Sequence, residues 1–281
     1  MRAAVYGDWE YVLYVDKRVV DAAVSWILGF QTAEGKFVET EHYIHTPLDS
    51  RMSDQTPDSR VAMTAHVLIA LNECAALVEG HTRNRVVEAI LSGIKYLEAK
   101  LNMIADTHAL AIAVWALHLG RSEQLQTALN HLMNQIRVNT DGLPYWSPTE
   151  IPSPPVKKEN QRLFRGARLY TEGDSAAVEA TSYALLAFLA QDGVSPITDN
   201  IVLWLQTMRM SNDGFISMTD TLVAVQALTE YANRARLADV TRMDVRLTSP
   251  SDPSVDQLLH IRNRSDISHS HVIQMKRVWA T

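Results

Sequence analysis

The sequence predicts a mostly α-helical chain of helix pairs in two layers, followed by a short β segment. Three observations carry this prediction. An apolar stripe led by threonine recurs four times. A glycine turn ending in a large apolar residue recurs three times. Near residue 240 the periodicity changes from helical to alternating.

The striped segments begin at Thr64 (Val67, Leu68, Leu71), Thr107 (Leu110, Ala111, Val114), Thr181 (Ala184, Leu185, Phe188) and Thr221 (Ala224, Val225, Leu228). Apolar residues at i+3, i+4 and i+7 share one helix face. The first and last intervals are 43 and 40 residues, a period typical of helix-pair repeats. Between these segments lie four amphipathic runs: "VVDAAVSWILGFQ", "NRVVEAILSGIKYLEAKL", "EQLQTALNHLMNQI" and "NIVLWLQTMRM". Eight helices in two alternating layers follow.

The glycine turns are "QTAEGKF", "VNTDGLPYW" and "MSNDGF", centred on Gly35, Gly142 and Gly214. Glycine at a helix end predicts a left-handed cap, after which Phe37, Trp146 and Phe215 fold back onto the core. Between the second and third stripes, residues 141–174 carry five prolines from Pro144 to Pro155, which excludes helix there and predicts a long loop. Its second half is basic, with Lys157, Lys158, Arg162, Arg165 and Arg168, either a solvated strip or a contact surface. After residue 240, Met243, Val245 and Leu247 alternate, and strand-like runs follow at Leu258–Ile261 and near Val272 and Ile273. At about forty residues this module is too small to fold alone.

The 281 residues are 47% hydrophobic and 21% charged, enough for a substantial core. A net charge of −6 argues against nucleic acid as a partner. The longest apolar run, "ALAIAVWAL", is half the length of a membrane span, and the first eighteen residues lack the apolar stretch of a secretory signal. The single cysteine, Cys74, excludes an internal disulfide and a multi-thiolate zinc site, and its helical setting predicts a buried thiol.

The segment "FVETEHYIHTPLDSRM" leaves three readings open. His42 and His45 with Glu39 or Glu41 are a candidate metal set, although HxxH in a loop fixes neither geometry nor ligand number. The segment also reads as a plain exposed loop, or as a catalytic loop. "NRS" at Asn263 is a glycosylation sequon, and "SHSH" at 268–271 reads as a surface turn. His66, His108 and His118 read as core or rim histidines.

The turns resemble those of α/α toroids, which favours a ring over an open solenoid. Further, "VEATSYALLAFLA", "NDGFISMTDTLVAVQALTEYA", "PDSRVAMTAHVLIAL" and "VDAAVSWILGFQTAEGKF" resemble the thioester-containing domain of the alpha-macroglobulin and complement superfamily, in order and spacing. The resemblance implies a partial α/α toroid over residues 1–240 that lacks its first helices, then a fragment of a CUB-like β-sandwich over 241–281. It further implies a secreted, non-enzymatic protein without a cofactor, acting in protease trapping or surface opsonisation. Its partners would be proteases or target surfaces, together with the remaining macroglobulin and CUB domains of a longer chain.

His45 aligns with the family's histidine that attacks the thioester and forms an acyl-imidazole, in an active or a vestigial form. Imidazole suits that role as a neutral nucleophile near pH 7 and a good leaving group once acylated. Where the family shows methionine and paired glycines after it, "TPLDSRM" contributes a proline and no glycine. The family's Cys-Gly-Glu-Gln motif does not occur in these residues. A thioester-free adhesion or structural member is the alternative implied by the resemblance. A prenyltransferase or terpene cyclase on the same toroid is the enzymatic one, for which neither the zinc ligand set nor an aspartate-rich motif is visible.

Overall fold

The computed structural model describes residues 16–38, 56–152, 156–159, 162–165, 172–210, 214–239, 243–249 and 252–261. Eight α-helices lie within them: α1 (Lys17–Leu28), α2 (Pro57–Cys74), α3 (Gly80–Lys100), α4 (Thr107–Leu119), α5 (Leu125–Asn134), α6 (Glu172–Asp192), α7 (Pro196–Thr207) and α8 (Met218–Asp239). Their starts are specified locally. Thr56 and Ser59 form a reciprocal capping box with proline in the first turn of α2, and Ser195 and Thr198 do the same for α7. Asp16 and Asp106 cap α1 and α4 by accepting backbone N–H groups of Arg18 and Ala109.

Side-chain bonds set the direction of the inner layer. Asp58 Oδ2 accepts from the N–H groups of Ala105 and Asp106 at 3.1 and 2.9 Å, joining the starts of α2 and α4. Asn72 Nδ2 donates to Leu119 O at 3.1 Å and joins their ends. Ser175 Oγ donates to Ser217 Oγ at 3.0 Å, bringing the start of α6 to the residue before α8. The helices α2 and α4 therefore run in one direction, joined through α3, and the chain passes from α4 to α6 through α5 and from α6 to α8 through α7.

The core lies between α4 and α6. Residues Thr107–Val114 are buried without interruption, so α4 is enclosed on all sides instead of showing a single stripe. Its facing partner carries Ala176, Ala177, Ala180, Ala184 and Ala187 at 9% exposure or less. Small side chains on both helices permit a close approach.

The glycine turns differ from the prediction. Instead of capping helices they close short hairpins. In each, the N–H of the first residue donates to a carbonyl four residues on: Thr32 to Lys36, Asn139 to Leu143, and Met210 to Gly214, at 2.9–3.0 Å. Gly35 (φ +90°) has its α-carbon so close to the carbonyl of Ser92 that a β-carbon would overlap it. The aromatic residue after each turn is buried, and its N–H donates to the threonine that heads the stripe: Phe37 to Thr64 (3.1 Å), Trp146 to Thr181 (3.0 Å), Phe215 to Thr221 (3.0 Å). A helical threonine can return its own hydroxyl proton to the preceding turn, as Thr221 does to Ser217 O, and keep a lone pair for this incoming donor. The turn before α4 is a 3₁₀ segment, Leu101–Met103, without glycine, which explains why Thr107 has no such role.

The proline-rich segment is less irregular than its composition predicts. Strand β1 (Ile136–Val138) pairs antiparallel with β2 (Pro144–Trp146), whose residues are all buried, and β3 (Val156–Glu159) pairs with β4 (Arg162–Arg165). Pro144 sits at a strand end, where no ladder donor is required. In the tail, β5 (Met243–Ser249) and β6 (Asp252–Ile261) form an antiparallel hairpin with Met243 opposite Ile261 and Val245 opposite Leu259. The chain divides into two compact units, residues 1–228 and 229–281, with the boundary inside α8.

Candidate functional site

His45, with His42, Glu39 and Glu41, lies in residues 39–55, outside the described residues, as do Asn263 and the 268–271 run. Both ends of the 39–55 segment are described. It departs from Val38, whose N–H donates to Phe30 O at 3.1 Å beside the buried Phe37. It returns at Thr56, the cap of α2, two residues before the Asp58 that binds the start of α4. The segment thus ends where two inner helices begin together.

A buried ionisable cluster joins one of these helices, α4, to the next inner helix, α6. His108, the second residue of α4, places Nε2 3.2 Å from Oε2 of Glu179 on α6, with side-chain exposures of 6% and 4%. The contact has ion-pair distance without hydrogen-bond alignment at Nε2. Tyr183, one turn beyond Glu179, has its phenol pushed far above the usual range by burial and then by the Glu179 charge. The imidazole is one of the polar groups that meet the buried carboxylate. The cluster has the character of an internal tie between two helices.

Among the described residues no group of three or more His, Cys, Asp or Glu side chains is arranged to hold a metal ion. Cys74 is half-buried, in contrast to the buried thiol predicted, because it is the last residue of α2. Partial burial, with Glu73 adding to it, raises its pKa, so the thiol stays protonated and weakly nucleophilic. Of the three helical histidines His108 is core, His118 stacks on Trp115 at 5.2 Å, and His66 is exposed. Sequence reasoning missed Glu179 altogether. Its signal was a lone carboxylate inside "AAVEATSYALLAFLA", where an apolar face offers it no water.

A model of the A-macroglobulin TED domain matches residues 3–231, nearly the whole helical part and both ends of the 39–55 segment. The chain belongs to this family. Mouse alpha-2-macroglobulin-like protein 1 is 28% identical over 224 residues, 79% of this chain and 14% of that protein. Complement C3 of the lamprey Lethenteron camtschaticum is 24% identical over 255 residues, 88% of this chain and 14% of that protein. The TED-family chain thus spans about one seventh of the length of these relatives. The fold is the helix-pair architecture of the family's α/α toroid, with a short β segment after it. Among the described residues no helix is long and apolar enough to cross a membrane.

Proposed function

We propose that this TED domain serves a secreted protease-trapping or surface-tagging protein, with His45 as the residue that receives the acyl group from a thioester. The supporting observation is the family match across residues 3–231, which carries the His45 segment between two ordered anchors. In this reading the helices act as a rigid frame and the 39–55 segment presents the imidazole. The one cysteine here, Cys74, is followed by Ala-Ala-Leu-Val, so the thioester has to come from outside these 281 residues. We assign residues 241–281 to a CUB-like sandwich shared with the rest of a longer chain, a reading supported by the β5–β6 hairpin.

Methylamine treatment of the full parent protein tests this. Release of one thiol, with acyl transfer shifting from hydroxyl to amine acceptors in His45→Ala, is the expected result. Thiol release with an unchanged acceptor preference removes the role of His45. No thiol release leaves the second reading, a thioester-free member that acts by binding, which the proline and missing glycines of "TPLDSRM" favour.

A further inference from the structure

A cavity of about 220 Å³ opens on the surface where α5, the last turn of α6 and the start of α7 meet. Gln126, Leu129, Asn130 and Met133 line it from one face of α5, Phe188, Gln191 and Asp192 from α6, and Ile197 from α7. Their arrangement is graded. Leu129 and Phe188 are buried and form the floor, Met133 and Ile197 the wall, and the carboxamides with Asp192 an exposed rim. Asp192 is the one charged residue in the lining, and no cation neutralises the cavity from within.

Two further features make the mouth electronegative. Asp192 ends α6, and the chain leaves it through Gly193 at φ +74°, whose N–H takes only the carbonyl of Leu189. Later carbonyls at a helix end lack intrahelical donors and carry the negative end of the helix dipole. The opposing positive end of α7 is already answered by its own capping box and by Asp199 in its first turn. An apolar trough under an anionic, amide-rich rim fits an alkyl chain with a terminal cation, the stem lying on hydrocarbon and the head on the rim.

The geometry points to this cavity as a docking site for a lysine side chain of a partner protein. Lysine carries its charge at the end of an unbranched alkyl stem, which matches one exposed carboxylate above an apolar floor. The cavity is shallow and its charge exposed, so the contact is a weak anchor within a larger interface.

The test is a nuclear magnetic resonance titration of the 281-residue chain with the capped tripeptide Ala-Lys-Ala, its neutral norleucine analogue, and butylammonium. Saturable shifts at Met133 and Ile197 with the lysine peptide are expected, weaker by about threefold to fivefold with norleucine and in Asp192→Asn. Equal binding of lysine and norleucine peptides reduces the cavity to an apolar groove and overturns the proposal. Binding of butylammonium without the peptide makes it a small-amine pocket and likewise overturns it, as does no saturable shift with any probe. Leu203→Lys, outside the cavity on the exposed side of α7, is the control that changes net charge without touching the lining.

Discussion

The second and third glycine turns use the same device and reach different degrees of closure. At the second, Trp146 is fully buried, donates its indole N–H to Leu132 O at 2.7 Å and lies 5.6 Å from Phe188, while Tyr145 stacks on Trp204 at 5.0 Å. At the third, Phe215 is buried and bonded to Thr221 and Ala224 of the stripe is buried, yet the stripe is open at Val225, 50% exposed, beside Met218 and Leu222 at 75% and 64%. A motif can therefore fix the path of the chain without fixing how much apolar surface it removes from water. The second quantity depends on which neighbours are present.

The largest test is removal of the aromatic residue. Trp146→Ala should destabilise unit 1 by about 3–5 kcal/mol, and Phe215→Ala by less, because the site beside an open stripe can relax. Denaturant unfolding of the two variants measures this, and equal losses would remove the distinction. The buried pair belongs to the closed region and should follow it. His108→Ala removes the imidazole from the buried Glu179 carboxylate and should cost about 3–5 kcal/mol, whereas replacing both residues by methionine should cost less than either single change.

The threonine locks differ in the same sense. Thr181→Val leaves the Trp146 N–H buried without an acceptor and should cost about 1–3 kcal/mol. Thr221→Val should cost less, since its surroundings are half-buried and water can replace the hydroxyl.

Titration separates the two regions further. The Tyr183 phenol is raised above its usual 10.0, so its contribution to stability is complete below that pH and is lost as pH rises beyond it. The alkaline arm of the stability profile should flatten in Tyr183→Phe. The smallest effect belongs to Asp16, outside both regions. Arg18 lowers its pKa from 3.8, so its cap contributes above that value and fades as pH falls through it. Asp16→Ala should lower the melting temperature slightly at pH 7 and by less at pH 3.

The helices were legible because each carries its own signal: stripes at Thr64, Thr107, Thr181 and Thr221, and amphipathic runs between them. The turns were placed correctly, but their hairpin form was not, since glycine alone does not distinguish a helix cap from a β-turn. The β3–β4 hairpin was hidden by its charged composition, which masks alternation. The open stripe at Val225 and the half-buried Cys74 depend on neighbours that periodicity cannot count. The pairing of His108 with Glu179 joins residues far apart in sequence, so neither residue announces the other. His45 and Asn263 lie outside the described residues, and their roles rest on the family match and the sequon.

Native-state hydrogen exchange of the Trp146 and Phe215 amides compares the two turns directly, since both donate to a threonine at 3.0 Å. If closure by neighbours sets local stability, the Trp146 amide exchanges only through global unfolding of unit 1, and the Phe215 amide through a smaller, local opening. Equal protection of the two amides would contradict the account.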